Sequence, residues 1–288
     1  MIFFISDGRL GNQAFQYAFL NSIAKSNEKI ICVNMTQFFE HFDFKNENFS
    51  FLPESRLLSF FFRKMLSRVL TLLVKLKMIS SAEQQTVSGK PLPKVSFSKG
   101  VLPFTFVKLG FFQSELLLRK DKIDFVIKNK YYSVALKILN SLPQSNKVFV
   151  HIRRGDYLDE TYNGQKGLAL PKQYYLEAMT EIERSVANPF YVFLTDDPGY
   201  VEDVYGYISN KYISRESLGV DFAIMGLCDY GIVSNSSFSW WGSFFSKEKK
   251  LIIFPMYWYG WKTKCESHPT IQPSWAHLIE PRRPSDNY

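Results

Sequence analysis

The stretch KVFVHIRRGDY, Lys147 to Tyr157, decides how the second half of this chain is read. Val148-Phe149-Val150 is an apolar β-type run that ends at His151, and two arginines, a glycine and an aspartate follow at once. Such a run predicts a strand that delivers polar groups to its carboxyl end, where open α/β sheets place their ligand crevice. A guanidinium is planar, permanently charged and able to make paired hydrogen bonds, so Arg153 and Arg154 suit a diphosphate better than lysines would. The competing arrangement is an exposed arginine pair bridged to Asp156 and Asp159, a kind of contact that contributes little. Arg154-Gly155-Asp156 also has the form of a cell-adhesion signal, but the sequence carries no export feature that would give it that use.

Downstream of this stretch the pattern alternates. A helix starts near Pro171, and after it come a strand at 190–194, a helix at 198–205, a weak strand near Tyr212 and a helix at 219–227. A strand at 230–233, a helix at 238–245 and a strand at 251–254 complete the series. Strands and helices alternating at this spacing predict a parallel, doubly wound sheet. Two more of its strand ends carry polar groups. Thr195-Asp196-Asp197 precedes Pro198, so one aspartate is a candidate acceptor for a guanine edge or a ribose while the other caps the helix. Capping alone also accounts for the pair, and an Asp-Asp pair is a conceivable Mg²⁺ or Mn²⁺ ligand, although two arginines make a metal unnecessary for phosphates. Asn235, Ser236, Ser237 and Phe238 open the third end, where hydroxyls and backbone N–H groups at a helix start suit phosphate oxygens. Plain serine capping, with Trp240 and Trp241 as core, is the simpler account of that end.

Upstream, 2–5 reads as a buried strand, 7–11 as a glycine-bearing turn, and 12–24 as a helix with Asn12 as its N-cap. Gly8, Gly11, Asn12 and Gln13 would form a cleft loop of the strand, glycine, helix type. A strand at 29–34 follows, 38–55 reads as loop, and 80–100, rich in Ser, Gly, Pro and Lys, as a second loop. A strand is expected at 104–109 and a helix within 121–142, broken by Pro143, so a domain boundary is placed at 143–146. Between the loops lies RLLSFFFRKMLSRVLTLLVKLKM, 56–78. On a helical wheel Arg56, Arg63, Lys64, Ser67, Arg68, Thr71 and Lys75 gather opposite Leu58, Phe62, Met65, Val69, Leu73 and Leu76. This is a basic amphipathic helix, either a core helix with a solvated face or a peripheral contact with an anionic membrane that carries a lipid-linked acceptor.

The 288 residues give room for one large or two medium domains. An apolar content of 46% with 17% aromatic residues excludes a disordered chain. The net charge of +8 suggests anionic partners. No nucleic acid is expected among them, since the basic residues are dispersed and no recognised binding motif occurs. Cys32, Cys228 and Cys265 form no metal-like spacing, which suggests a reducing compartment. The first residues, MIFFISDGRL, lack a basic lead and no run of about 20 apolar residues escapes charge, so a cytoplasmic protein is expected. The Asn-X-Ser/Thr triplets at Asn34, Asn48 and Asn235 are then chance occurrences.

Four blocks together resemble a known family. GRLGNQAFQYAF (8–19), HIRRGDY (151–157), FLTDDP (193–198) and DFAIMGLCDYGIVSNSSFSWWG (221–242) are similar, in that order, to the α-1,2-fucosyltransferases of glycosyltransferase family 11. Residues 35–145 carry no such likeness, Ala14 stands where a bulkier apolar residue is usual, and Asp229-Tyr230 where a basic or histidine-containing pair is frequent. The resemblance implies a GT-B-like α/β protein with two Rossmann-type domains facing a cleft, 1–145 for the acceptor and 146–288 for GDP-fucose. It implies inverting transfer of L-fucose from GDP-β-L-fucose to the 2-hydroxyl of a terminal β-galactosyl residue, with no cofactor and no obligatory metal. The product would be a surface polysaccharide such as an O-antigen, built at the inner face of the membrane. In this family likeness Arg154 pairs with the β-phosphate, His151 and Arg153 line the nucleotide site, Ser236 and Ser237 bind phosphate oxygens, and Asp196 and Asp197 shape the pocket. Asp156 and Glu160 are candidate bases by position, with His151 and Asp7 behind them, although a carboxylate in a ligand loop is as often an arginine orienter. The alternatives are a GDP-sugar transferase of another linkage and a catalytically silent binder of nucleotide or membrane surface.

Overall fold

Short apolar runs punctuated by glycine, proline and helix caps fold this chain into two α/β units. The computed structural model describes residues 1–52, 64–162, 164–266 and 268–282, together with the helical backbone of 56–63. The first unit comprises Met1–Val126 and Pro269–Ile271, the second Ile127–His268 and the residues after Ile271. The division therefore falls ahead of the expected boundary at 143–146. The helix that Pro143 terminates belongs to the second unit, where Tyr131 packs against Gly219.

In the first unit the elements run β1 (Ile2–Ile5), α1 (Leu10–Ile23), β2 (Ile30–Val33), α2 (Thr36–His41), β3 (Phe42–Phe44), β4 (Phe49–Leu52), α3 (Arg56–Lys75), β5 (Ile79–Val87), β6 (Lys90–Ser98), β7 (Leu102–Val107) and β8 (Phe125–Ile127). Six of the strands form one sheet in the order β4-β2-β1-β7-β5-β6. Every pair in it is parallel except the β5–β6 hairpin. That hairpin corrects the loop expected over 80–100. Ser88 and Gly89 turn it with φ of 51° and 77°, the left-handed values a two-residue hairpin needs. Its prolines, Pro91 and Pro93, are tolerated because β6 is an edge strand, where a missing N–H costs no ladder bond. Of the stretch 38–55, read as loop, residues 38–52 are instead α2, β3 and β4, joined by stacked aromatics such as Phe39–Phe51 at 4.4 Å, while 53–55 lie outside the described residues. Part of 121–142 is the strand β8, not helix.

The second unit contains α4 (Asn129–Ser141), β9 (Asn146–Ile152), the small hairpin β10 (Thr161–Tyr162) and β11 (Gln165–Lys166), α5 (Lys172–Ser185), β12 (Pro189–Thr195), α6 (Pro198–Tyr205), β13 (Lys211–Ile213), α7 (Leu218–Leu227), β14 (Tyr230–Ile232), α8 (Ser237–Phe244), β15 (Leu251–Pro255) and β16 (His277–Ile279). Its main sheet is wholly parallel in the order β13-β12-β9-β14-β15-β16. Counted within the unit this is 3-2-1-4-5-6, the order of doubly wound nucleotide-binding sheets, and its strand order reverses at β9. From β9 onward sequence reading had each strand and helix boundary that it gave within two residues, and it missed β16 and the β10–β11 hairpin, which are too short to carry a period; α4 it placed only within 121–142.

The packing explains several residues of the sequence. Val148, Val150, Phe193 and Ile232 on the sheet and Tyr174, Ala178 and Ile182 on α5 are buried in one core. Buried Tyr174 keeps its hydroxyl satisfied by donating to the Val233 carbonyl at 2.7 Å, which pins α5 across the end of β14. Gly231 sits beside Phe149 in the β9–β14 ladder, and a Cβ there would lie 2.0 Å from the Phe149 ring. Gly231→Ala should thus overpack the sheet at its centre and cost about 1–3 kcal/mol. A thermal melt should show a midpoint lowered by several degrees; an unchanged midpoint would refute this account of the glycine.

Candidate active site

The reversal of strand order at β9 places the carboxyl ends of β9, β12 and β14 side by side, and the polar groups singled out from sequence meet there. His151 closes β9 and is buried. Its Nδ1 shares a 2.7 Å hydrogen bond with Ser234 Oγ beyond β14, and its ring lies 5.4 Å from that of Phe238. Burial pushes the imidazole down to about 3, so His151 is neutral in ordinary buffers and is a wall of the site rather than a base beside it.

The arginine loop follows. Arg154 receives three restraints: its backbone N–H donates to Asp196 Oδ1 at 2.9 Å, its Nε to Asp197 Oδ2 at 3.1 Å, and its guanidinium lies 3.5 Å from the centre of the Tyr200 ring. Its two terminal nitrogens make no hydrogen bond among the described residues. Arg153 is engaged more fully, by Asp196 Oδ2 at 2.6 Å and by Asp156 Oδ1. The two arginines are therefore not equivalent: Arg153 braces the loop, and Arg154 presents a fixed fork with its outer donors available.

The geometry gives the aspartates an orienting role. Asp196 uses both oxygens on the arginine loop. Asp197 caps α6 through Oδ1, which accepts from Tyr200 N at 3.1 Å, and steers Arg154 through Oδ2. All four oxygens accept within the protein, so the pair fixes the arginines in addition to any contact with a nucleotide. Asp156, the candidate base, has its Oδ1 on Arg153, the orienting arrangement, while Asp159 pairs with Lys166 at 2.9 Å. Glu160 is exposed on the same loop. Among the described residues no group of three or more His, Cys, Asp or Glu side chains is placed to hold a metal.

At the third strand end Asn235 also departs from expectation. It is fully buried and donates both amide hydrogens, to Leu168 O at 2.8 Å and Trp258 O at 2.9 Å, so its amide nitrogen fastens two loops while its Oδ1 has no hydrogen-bond partner among the described residues. Ser236 is the N-cap of α8 and makes no side-chain capping bond. The first turn of α8, from Ser237 and Phe238, stands at the positive end of the helix. Trp240 and Trp241 are buried core, as the simpler reading had it.

Three residues that sequence reasoning passed over complete the site. Tyr200 stacks on Arg154. Tyr157 donates to Asn235 O at 3.1 Å and so joins the β9 and β14 loops. Gly155 leaves room for Asp196: a Cβ there would fall 2.6 Å from Asp196 Oδ2. Only the last had a sequence signal, a glycine set between an arginine pair and an acid.

The first unit has its own strand-end feature. A cavity of about 540 Å³ is lined by Ile5, Ser6 and Asp7 after β1, by Phe106, Val107 and Leu109 at β7, and by Lys64, Ser67 and Arg68 of α3. The helix beside it starts at Leu10 with Arg9 as N-cap, so Asn12 is not the cap; Gly11, Asn12 and Gln13 lie in its first turn. Gln13 is buried and structural, donating to Gly8 O at 3.0 Å and accepting from Phe38 N at 2.9 Å. Asn12 Oδ1 accepts from Gln113 at 2.7 Å, and Gly8 adopts φ 85° at the turn.

The neutral, buried state of His151 has a measurable consequence. The unfolded chain takes up this proton near pH 6.5, the folded chain only near 3, so the unfolded state binds more protons in between and stability falls as pH drops through that window. His151→Gln lacks the titration. Whatever the variant costs at about pH 7, its gap in thermal midpoint from the wild type should narrow toward about pH 4; a constant gap would mean that His151 is protonated in the fold.

Comparison with known proteins follows the geometry. Residues 3–278 match the family model described as Glycosyl transferase family 11. The O-antigen biosynthesis glycosyltransferase WbnK of Escherichia coli is 28% identical over 139 residues, 46% of this chain and 45% of that protein, so the match spans less than half of that relative. An alpha-1,2-colitosyltransferase of Escherichia coli is 26% identical over 269 residues, 88% of this chain and 90% of the relative. Among solved structures, the NodZ alpha-1,6-fucosyltransferase of Bradyrhizobium, co-crystallized with GDP, superposes with a TM-score of 0.51 at 10% identity, over 84% of this chain and 91% of that one. At such identity the likeness is one of fold, and it makes the two doubly wound units those of a GT-B protein. Since a single family model accounts for nearly the whole sequence, through both sheets and both strand-end sites, the chain belongs to glycosyltransferase family 11.

Proposed function

We propose that the second unit binds a GDP-sugar and that the protein transfers L-fucose from GDP-β-L-fucose, with inversion, to the 2-hydroxyl of a terminal galactoside held by the first unit. The observation that carries this reading is the half-engaged Arg154, whose Nε is fixed by Asp197 while its terminal nitrogens make no hydrogen bond among the described residues, beyond a strand end at the sheet's reversal point. Cleavage of the bond between the sugar and GDP leaves growing negative charge on the β-phosphate. Donors already held in place stabilise that charge without reorganising, which is where most of such a rate enhancement lies. Arg154 supplies the charged donors and the first amides of α8 the neutral ones. No metal is needed in this account, because charge on the diphosphate is met by the guanidinium and the helix end, and the Asp196–Asp197 oxygens are engaged by the arginine loop and the α6 cap.

For the acceptor, the unit 1 cavity offers apolar walls from Phe106 and Val107 and polar groups from Asp7, Ser67 and Arg68, a mixture suited to a sugar ring. With Asp156 on Arg153, Asp7 is the stronger candidate for taking the acceptor proton, and Glu160 the other.

A second donor has a specific observation behind it. The relative matched over most of both chains is named for colitose, which is L-fucose without its 3-hydroxyl, so GDP-colitose belongs in the assay beside GDP-fucose.

Purified protein should release GDP from one of these donors in the presence of β-galactosides and EDTA, with an α-1,2 linkage in the product by NMR. Arg154→Ala should lower kcat by about 100-fold to 1000-fold. Gly155→Ala, which displaces Asp196, should lower kcat by about tenfold or more while leaving the fold intact, as expected of a misaligned donor. Activity lost in EDTA and restored by Mn²⁺ would overturn the metal-free account, and GDP binding without turnover on any acceptor would favour a silent nucleotide binder. Wild-type kcat in Arg154→Ala would remove the arginine from the chemistry.

A further inference from the structure

Helix α3 does not have the two faces that its sequence suggests. The side chains of 56–63 lie outside the described residues, so Arg56, Leu58, Phe62 and Arg63 are not placed; from Lys64 onward three faces are distinct. Leu66, Leu70, Leu73 and Val74 pack on Phe3, Val33 and Phe106 of the sheet, and this is the core face. Met65, Val69, Leu72 and Leu76, spaced as i, i+4, i+7 and i+11, form a second apolar stripe that faces away from it and is 47–61% exposed. Among the described residues of the apolar side drawn from the wheel, Leu73 is core and Met65, Val69 and Leu76 are not. Lys64, Arg68 and Lys75 each precede a stripe residue by one position and so line one flank of it.

The stripe continues past the helix. Lys77 takes the left-handed conformation at the C-terminal turn, where Met78 N bonds Leu73 O at 3.0 Å, and the chain is then held against a second segment by Val101 N to Lys77 O at 3.1 Å. Val101 is 88% exposed and stands beside Met78 and Leu102, both more than two-fifths exposed. Lys77 and Lys99 border this end, and no acidic residue occurs anywhere from Arg56 to Met78. Exposed apolar side chains in a row, edged only by cations, match the chemistry of a bilayer surface, where acyl chains meet anionic headgroups.

We infer that the α3 stripe and the Val101 turn dock the first unit on an anionic lipid surface. Apolar burial and headgroup attraction act together there, each cation near such a surface adding a factor of about five in affinity and each buried leucine about tenfold or more. The mode is peripheral: among the described residues no helix is long and apolar enough to cross a membrane. This inference does not rest on the proposed donor or acceptor: of the flanking cations Lys64 and Arg68 line the cavity, but none of the apolar stripe residues does, nor do Lys75 and Lys77.

The test is sedimentation of the full chain with vesicles of phosphatidylcholine alone or mixed with phosphatidylglycerol. Wild type should bind the anionic vesicles, more weakly as salt rises, and bind phosphatidylcholine poorly. Leu72→Glu/Leu76→Glu should reduce binding by about 100-fold and Lys75→Glu/Lys77→Glu by about 25-fold or more, with thermal midpoint and turnover of soluble acceptor unchanged in both. Equal binding to both vesicle types, or anionic binding that survives both variants, would overturn the inference. So would sedimentation velocity showing a dimer that Leu72→Glu/Leu76→Glu splits without effect on vesicle binding, because the stripe would then be covered by a second copy.

Discussion

Everything in the second unit that bears on chemistry depends on two carboxylates clamping one loop. Asp196 holds the backbone of Arg154 and the side chain of Arg153, and Asp197 holds the Arg154 Nε while capping α6. The groups are partly exposed, with side-chain exposures of 18–37%, so these ion pairs contribute little to stability. Their effect is on geometry. A free arginine has many rotamers to lose on binding an anion, and one whose Nε and guanidinium face are already occupied has few. The clamp exists only because β12 and β9 are neighbours in register, Leu194 beside His151 and Thr195 beside Ile152, which is a property of the sheet order.

The second unit was readable in sequence because its signals are local and agree with one another. Apolar strands ending in polar loops, Asp197 before Pro198 and serines before a helix each announce an element and its end. The assignment of roles was less readable. Whether Asp196 faces a ligand or Arg154 turns on which strands adjoin, and Asn235, in a loop of hydroxyls, looks like a ligand group until Leu168 and Trp258 are seen to claim its amide. Tyr200 gave no sign, since a helix tyrosine two residues after a proline is common.

The first unit was less legible for a different reason. Its strands β3, β4 and β6 are short or edge strands, where half of each strand is solvated and proline is allowed, so the period fades. Its helix α3 was recognised, but a wheel divides residues into apolar and polar and cannot divide the apolar ones into core and surface. That division needs the sheet, since among the described residues of α3 it is Leu66, Leu70, Leu73 and Val74 that pack with Phe3 and Phe106. The G-R-L-G-N-Q block shows the same limit, as its Gln13 turns out to fasten α2 to the turn rather than to address a ligand.

The clamp also sets the charge balance of the arginine loop. Two guanidiniums stand among three carboxylates, those of Asp156, Asp196 and Asp197, so the cluster carries one net negative charge although the chain as a whole is +8. An anion held there is held by aimed N–H donors and a helix end at contact distance, not by a diffuse positive field. Contact interactions of that kind are screened weakly by mobile ions, whereas the cations along α3 act through solvent and are screened within about 10 Å at 0.1 M salt. On the proposed roles, positive charge is used in two regimes, and ionic strength is the variable that separates them: association through α3 would fade as salt rises while nucleotide affinity would largely be kept.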